Sequence, residues 1–345
     1  MPNYYDGTRL LSMKDLHGNT PEIFICTSNR SAGKTTYFGR LEINRFKKSG
    51  KKFGLIYRFN YELDNVSEKF FKDIGSLFFP GDFMTDRKFS KGIFSYLYLN
   101  DTLCGYAFAL NNADQIKKMS HLFSDVDSLL FDEFQSETNH YCPNEISKFQ
   151  SLHTSIARGQ SKQVRYVPVY MVSNPVSVIN PYYTAFGLSS RITDKVRFLK
   201  GDGIVLEQGF NRTASDAQKE SPFNRAFKNS EYLAYSAENV YLNDNMAFIE
   251  KPPQETSRYI GTIRYDGRNY GIREYAEEGI VYCDDHADNT FPLRVSVTKE
   301  DHDVNYVMLK RNGLFLNSLR FYFEHGAFRF KDLNAKEAIM KALSY

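Results

Sequence analysis

The sequence predicts an α/β fold with a mainly parallel central sheet, then a small helical linker and a C-terminal α+β domain. Three observations carry this. The apolar run Ile23-Phe24-Ile25-Cys26 leads into a glycine-containing loop and then a helix-like run, which is a strand, a loop and a helix in succession. A second apolar run, Ser128-Leu129-Leu130-Phe131, ends in Asp132 and Glu133, as a buried strand of a parallel sheet does when it opens into a site. Beyond about Asn243 the chain changes to short alternating segments separated by turn pairs such as Asp266-Gly267. With 345 residues there is room for two or three cores, and the expected boundaries are 1–205, 206–242 and 243–345.

The loop's residue types define its chemistry. In a strand, loop and helix of this kind, backbone N–H groups and the helix N-terminus surround the phosphates of a nucleoside triphosphate. The lysine ammonium reaches the β- and γ-oxygens, and the hydroxyl that follows it ligates Mg2+. Lys34 and Thr35 stand at those positions, so Ser28, Asn29, Arg30, Ser31, Ala32, Gly33, Lys34 and Thr35 form the expected ATP-binding loop, a Walker A motif whose usual first glycine is Ser28. Alone, an ordinary strand-to-helix turn has the same signature. The acid-tipped strand supplies the partner, a Walker B motif. Asp132 is expected in the Mg2+ shell and Glu133 beside the γ-phosphate, orienting the attacking water. Side chains alternate along a strand, so two successive acids cannot continue one face, and the second is free for a different task.

Two further runs, Lys52-Phe53-Gly54-Leu55-Ile56-Tyr57-Arg58 and Arg165 to Asn174, are strand candidates. A strand inserted in space between the loop strand and the acid strand, with a glutamate next to the aspartate, describes the translocase and helicase branch of phosphate-loop ATPases. Ser173-Asn174, at the end of the later run, has two readings. Asn174 could sense the γ-phosphate through a hydrogen bond, or the Asn-Pro step could simply form a turn.

Several stretches together resemble one family. Leu130-Phe131-Asp132-Glu133-Phe134, Cys142-Pro143-Asn144-Glu145-Ile146-Ser147, Ile156-Ala157-Arg158 and Val172-Ser173-Asn174-Pro175-Val176-Ser177-Val178-Ile179-Asn180-Pro181-Tyr182 resemble the DNA-encapsidation ATPases of small podophages of the phi29 type. The likeness extends through Ile43-Asn44-Arg45-Phe46 and Val240 to Lys251. Its main departure is in the phosphate loop, where Ser28 and Ser31 replace glycines. The resemblance implies a homomeric ring, expected to be a pentamer, that hydrolyses ATP with Mg2+ and drives double-stranded DNA into a prohead through its portal. A packaging RNA is a further partner in some relatives. The implied location is the host cytoplasm, docked at the portal vertex.

In such rings each ATP lies at a subunit boundary, and a neighbour's arginine stabilises charge on the transferred phosphoryl group. Arg158 matches the family's position for this finger. It follows a predicted helix beginning at Pro143, with Gly159 just beyond it. Arg30, inside the loop, is the competing candidate, and Lys117 or Lys118 matches a second trans-acting lysine. The resemblance also implies an RNase H-like C-terminal domain, a vestigial nuclease that docks on portal or DNA. Asp266, Asp284, Asp285 and Asp288 do not make the converging constellation that two-metal cleavage requires. The other readings are a non-motor nucleotide switch or scaffold, and a terminase with an active nuclease.

Composition narrows the rest. The net charge of +3 is too small to indicate nucleic-acid binding by itself, so the distribution of charge matters. Lys47, Lys48, Lys51, Lys52 and Arg58 crowd one helix end and the next strand and are candidate DNA contacts, while Arg191, Lys195, Arg197 and Lys200 form a second group. Cys26, Cys104, Cys142 and Cys283 lack paired spacing, which fits reduced thiols; His140, Cys142 and His153 do not complete a zinc site. No apolar run is long enough for a membrane span. Residues 211–239 are polar but carry Phe223, Phe227, Tyr232, Leu233 and Tyr235, so helices rather than disorder are expected there.

Overall fold

The computed structural model describes residues 4–138, 140–159, 163–192, 196–228, 230–238, 241 and 248–343. The chain divides into two compact units, Met1–Asn243 and Asp244–Tyr345. Among the described residues no helix is long and apolar enough to cross a membrane.

The first unit opens with α1 (Thr8–Ser12), β1 (Ile23–Thr27), α2 (Lys34–Ser49), β2 (Lys52–Tyr57), α3 (Val66–Phe78), β3 (Met84–Phe89), β4 (Phe94–Leu99) and β5 (Thr102–Ala109). It continues through α4 (Ala113–Lys118), β6 (Val126–Asp132), α5 (Glu145–Ile156), β7 (Val169–Ser173), α6 (Pro181–Ala185), β8 (Phe198–Lys200) and β9 (Ile204–Gln208), and ends with α7 (Arg212–Glu220), α8 (Pro222–Ala226) and α9 (Glu231–Glu238). The nine strands form one sheet in the order β3-β4-β5-β2-β6-β7-β1-β9-β8. Its middle, from β5 to β9, is parallel, and antiparallel pairs close both edges.

The strand inserted between the loop strand β1 and the acid strand β6 is β7, the later of the two candidates; β2 lies on the far side of β6. Register then aligns the strand ends. Thr27 pairs with Ser173 and Asp132 with Val172, so the loop after β1, the carboxylates after β6 and Asn174 after β7 all leave the same C-terminal edge. This edge is where open α/β sheets place their ligands.

The helix α2 is bounded by left-handed glycines. Gly33 has φ 90°, and Gly50 has φ 67° with its N–H bonded to the Phe46 carbonyl at 2.8 Å. Its inner face buries Phe38, Gly39, Glu42 and Ile43. Phe38 is fully buried and stacks on Tyr170 of β7 at 5.2 Å between centroids, a burial contributing about 1.5–3 kcal/mol. Gly39 allows α3 to close in, because a Cβ there would meet Ile74 Cδ1 at 2.3 Å.

Helices α7 to α9 carry the polar segment of the predicted linker. The expected boundary at 205 falls inside β9, which pairs with β1 in the sheet from Ile204 to Gln208, so residues 206–208 belong to the sheet.

The second unit contains β10 (Arg258–Tyr265), β11 (Arg268–Tyr275), β12 (Ile280–Asp284), β13 (Arg294–Ser296), β14 (Val307–Met308), α10 (Gly313–Glu324), β15 (Phe328–Phe330) and α11 (Leu333–Leu343). Its sheet runs β14-β13-β10-β11-β12-β15. β10, β11 and β12 are an antiparallel meander, whereas β13 runs parallel to β10, β14 to β13 and β15 to β12. Asp266 and Gly267, with φ 51° and 70°, make the tight β10–β11 turn that the pair predicts. α11 buries Ala335, Ala338, Ile339 and Ala342. Ile249 makes an isolated parallel bridge to Phe330.

Candidate active site

The loop after β1 is held from below. Ser28 and Asn29 are buried, and the Ser28 N–H donates to the Ser173 carbonyl at 3.3 Å. Ser31, where the resemblance has glycine, adopts φ 61°, a left-handed conformation that costs an L-residue about 1 kcal/mol or more. The Lys34 ammonium is buried and donates to the carbonyls of Ser28 at 2.9 Å and Asn29 at 3.2 Å and to Asn174 Oδ1 at 3.0 Å. Burial lowers its pKa from the ordinary lysine value, against the pull of Cys26 and Asp132. A phosphate taken up by Lys34 therefore competes with three protein oxygens, one of them on Asn174.

Thr35 Oγ1 donates to Asp132 Oδ1 at 3.1 Å. Burial, and next the Glu133 carboxylate, push Asp132 up to about 6, opposed by the Thr35 hydrogen bond and Lys34. Glu133 has φ 53°, so the strand ends in a left-handed turn, and its N–H donates to Asp132 Oδ1 at 3.0 Å. The turn brings both acids to one cavity despite the alternation of the strand. That cavity is about 530 Å3 and is also lined by Thr35, Tyr57, Arg58, Phe59, Asn174 and Tyr235. A neighbouring cavity of about 290 Å3 follows the loop from Arg30 to Thr36 and shares Asp132, Glu133 and Asn174. These sizes suit a small ligand.

Residues of the polar segment after β9 bond to the loop. Asn29 exchanges two hydrogen bonds with Asn211, its Nδ2 donating to the carbonyl at 3.0 Å and its Oδ1 accepting the N–H at 2.9 Å. The Arg30 N–H donates to the Ser236 carbonyl at 2.8 Å, and Gln218 Nε2 donates to the Arg30 carbonyl and to Ser31 Oγ. The Arg30 guanidinium donates to Glu137 Oε1 at 3.0 Å and to the Tyr232 hydroxyl at 2.6 Å; Tyr235 donates to the same Glu137 oxygen at 2.6 Å. Glu137 is a site residue for which the sequence offers no motif. Tyr232 and Tyr235 read in sequence only as the apolar side of a helix.

Arg58 is a correction. It reads as a candidate DNA contact, but it is buried at 7% exposure, with Nε 3.0 Å from both Glu145 oxygens and an Nη2 donating to the Phe134 carbonyl at 2.7 Å. Tyr182 and the Cys142 N–H complete the coordination of Glu145, each at 2.7 Å. A charge desolvated and paired in this way braces the turn after Glu133 and is withdrawn from the surface. Of the other basic candidates, Lys47 pairs with Asp82 and Lys52 with Asp125, while Lys48 and Lys51 are exposed. Lys195 lies outside the described residues.

Arg158 is exposed just past α5 and lines neither cavity of its own chain. Lys117 and Lys118 are exposed in the last turn of α4. Arg30 lines both cavities.

Comparison with known proteins agrees with this architecture. The family model described as podovirus DNA encapsidation protein (Gp16) matches residues 3–343. The chain is 28% identical over 306 residues to the DNA packaging protein of Bacillus phage phi29, covering 87% of each chain. It is 26% identical over 321 residues to that of Bacillus phage B103, covering 92% of this chain and 93% of the relative. Among solved structures, a chain of the bacteriophage phi29 genome packaging motor assembly superposes with TM-score 0.63 at 25% identity, over 99% of both chains. A chain of the phi28 gp11 DNA packaging motor shares the fold, with TM-score 0.65 at 16% identity over 100% of this chain and 99% of that one. With the match running through both units, the chain belongs to the podovirus DNA encapsidation protein (Gp16) family.

Proposed function

We propose that this DNA-packaging protein is an ATP-driven double-stranded DNA translocase, working as a homomeric ring at the portal of a prohead. The observation that carries the proposal is the convergence of Lys34, Thr35, Asp132, Glu133 and Asn174 on one cavity at the C-terminal edge of the sheet. Lys34 offers a partly desolvated ammonium for the β- and γ-oxygens. Thr35 Oγ1 and Asp132 Oδ1 meet at 3.1 Å, and a hydroxyl with a carboxylate is a donor set that suits a hard cation such as Mg2+. When bound, Mg2+ would neutralise charge on the phosphates. Glu133, turned out of the strand, orients a water toward the γ-phosphate and takes its proton. Asn174, bonded to Lys34, exchanges that contact for the γ-phosphate and so senses its presence.

Arg158 acts in trans on the next subunit, a role that its exposure and its absence from the lining of either cavity support; Lys117 or Lys118 is the second trans candidate. Arg30, by contrast, is engaged in cis by Glu137 and Tyr232. Lys48 and Lys51 are the members of the first basic group left open for the DNA backbone. The ring is proposed to be a pentamer, acting in the host cytoplasm while docked at the portal, with a packaging RNA as a further partner.

The motor domain is proposed to extend through β9, to 208, and the linker from there to 242. The C-terminal unit is proposed as an RNase H-like vestigial nuclease. Supporting this, three antiparallel strands are extended by β13 and β14, both parallel to β10. Asp284, at the end of β12, is engaged by the Arg273 guanidinium through both oxygens at 2.6 Å, so it serves a salt bridge.

Glu133→Gln tests the proposal. ATP binding should persist while DNA-stimulated phosphate release falls by about 10² or more, the scale expected for loss of a general base. Unchanged turnover would remove Glu133 from the mechanism, and a wild-type chain that binds ATP but never hydrolyses it would make the protein a switch.

A further inference from the structure

The phosphate loop accounts for the polar end of a nucleotide; the 290 Å3 cavity beside it bears on the other end. Tyr4 is the one aromatic residue lining that cavity among the described residues, and it is 43% exposed. Its position is imposed by its neighbours. The Tyr5 N–H donates to the Ala32 carbonyl at 2.7 Å, and the Tyr5 hydroxyl donates to the buried Glu207 at 2.7 Å. The Tyr5 ring also packs edge-on against Tyr37 of α2 at 5.5 Å between centroids. The N-terminal segment is thereby fastened across the loop, and Tyr4 lies directly on Gly33. A Cβ at Gly33 would come within 2.9 Å of Tyr4 Cδ1, so the missing side chain lets the ring lie against the loop.

The loop has a direction. On the ATPase reading, Lys34, Asp132 and Asn174 mark the end for the β- and γ-phosphates, and because the nucleoside is attached through the α-phosphate it must leave on the side away from them. Tyr4, against Gly33, lines the cavity together with Thr36 on the first turn of α2. A half-exposed ring there offers a π-face, and base-on-ring stacking supplies affinity with little regard to base identity, because every base has such a face.

We propose that Tyr4 is the nucleobase platform of this site, the base of the bound triphosphate stacking on its open side; the inference rests on the ATPase reading above. It requires that Tyr4 contribute to binding of nucleosides and nothing to binding of bare phosphates.

The experiment compares full-length wild type with Tyr4→Ala and Tyr4→Phe in equilibrium binding of Mg-ATP and of inorganic tripolyphosphate. Tyr4→Ala should weaken ATP binding about tenfold, leave tripolyphosphate affinity unchanged, and be rescued in Tyr4→Phe. Because the chain contains no Trp, Tyr4→Trp installs a single indole, whose emission should be quenched by ATP and not by tripolyphosphate. Unchanged ATP affinity in Tyr4→Ala, an equal loss for both ligands, or an indole indifferent to ATP would each overturn the proposal. A wild-type chain that binds neither ligand would overturn the ATPase reading instead.

Discussion

The hydroxyl of Thr35 donates to Oδ1 of Asp132 at 3.1 Å, joining two motifs 97 residues apart in sequence. Burial and the Glu133 carboxylate raise Asp132 to about 6, against the Thr35 hydrogen bond, so its charged form carries a desolvation cost. A divalent cation would relieve that cost. Asp132→Asn and Thr35→Ala should therefore each raise the Mg2+ concentration needed for half-maximal ATP hydrolysis by about tenfold or more, with kcat reduced as well. A Mg2+ titration of phosphate release checks this, and an unshifted midpoint in both variants would remove them from the metal shell.

Arg58 and Glu145 form a buried pair whose remaining valences are filled by Phe134, Tyr182 and Cys142. Removing one partner leaves the other charge desolvated and alone. Arg58→Ala should lower unfolding stability by about 3–5 kcal/mol. Urea unfolding of the variant measures this, and a loss below about 1 kcal/mol would mean that solvent reaches Glu145.

Glu42 is fully buried in α2, with one oxygen accepting from Ser128 at 2.7 Å, and burial pushes its pKa from 4.5 to about 7. Folding therefore favours the protonated form. The folded chain holds a proton between pH 4.5 and 7 that the unfolded chain has released, so stability falls as pH rises through that window and levels above it. The integrated loss is at most about 3 kcal/mol. Urea midpoints across that range should decline in wild type and flatten in Glu42→Gln; parallel curves would place the ionised carboxylate comfortably in the core.

Arg158 stands exposed and outside the cavities of its own subunit. Rings made wholly of Arg158→Ala subunits should lose about 10³-fold or more in hydrolysis. If Arg158 serves a neighbouring subunit as proposed, packaging by rings mixed with wild type should fall faster than the mutant fraction. Strictly proportional loss would place Arg158 outside a coordinated cycle. Arg30→Ala, which frees Glu137 and Tyr232 within one chain, should instead act in proportion.

The mainly parallel sheet was legible in the chain because β1, β6 and β7 are buried on both faces and so read as unbroken apolar runs. The family was legible because its motifs are contiguous segments. The turn at Asp266-Gly267 was legible for the same reason, since its conformation is a property of two adjacent residues. The role of Arg58 was not: a basic residue at a strand end has the same local signature whether it faces solvent or Glu145, and only packing against α5 and α6 decides between them.

What the sequence by itself determined about this protein is the strand, loop and helix that carry Lys34 and Thr35, the adjacent acids Asp132 and Glu133 at the end of a buried strand, and the succession of those strands. Only the tertiary structure decided that β7 sits between β1 and β6, that Glu133 turns back into the cavity, and that Tyr4, Glu137, Tyr232 and Tyr235 surround the loop. The physical reason is that residue type and spacing encode local geometry, whereas strand order, burial of a charge and contacts between distant segments follow from how the whole chain excludes water.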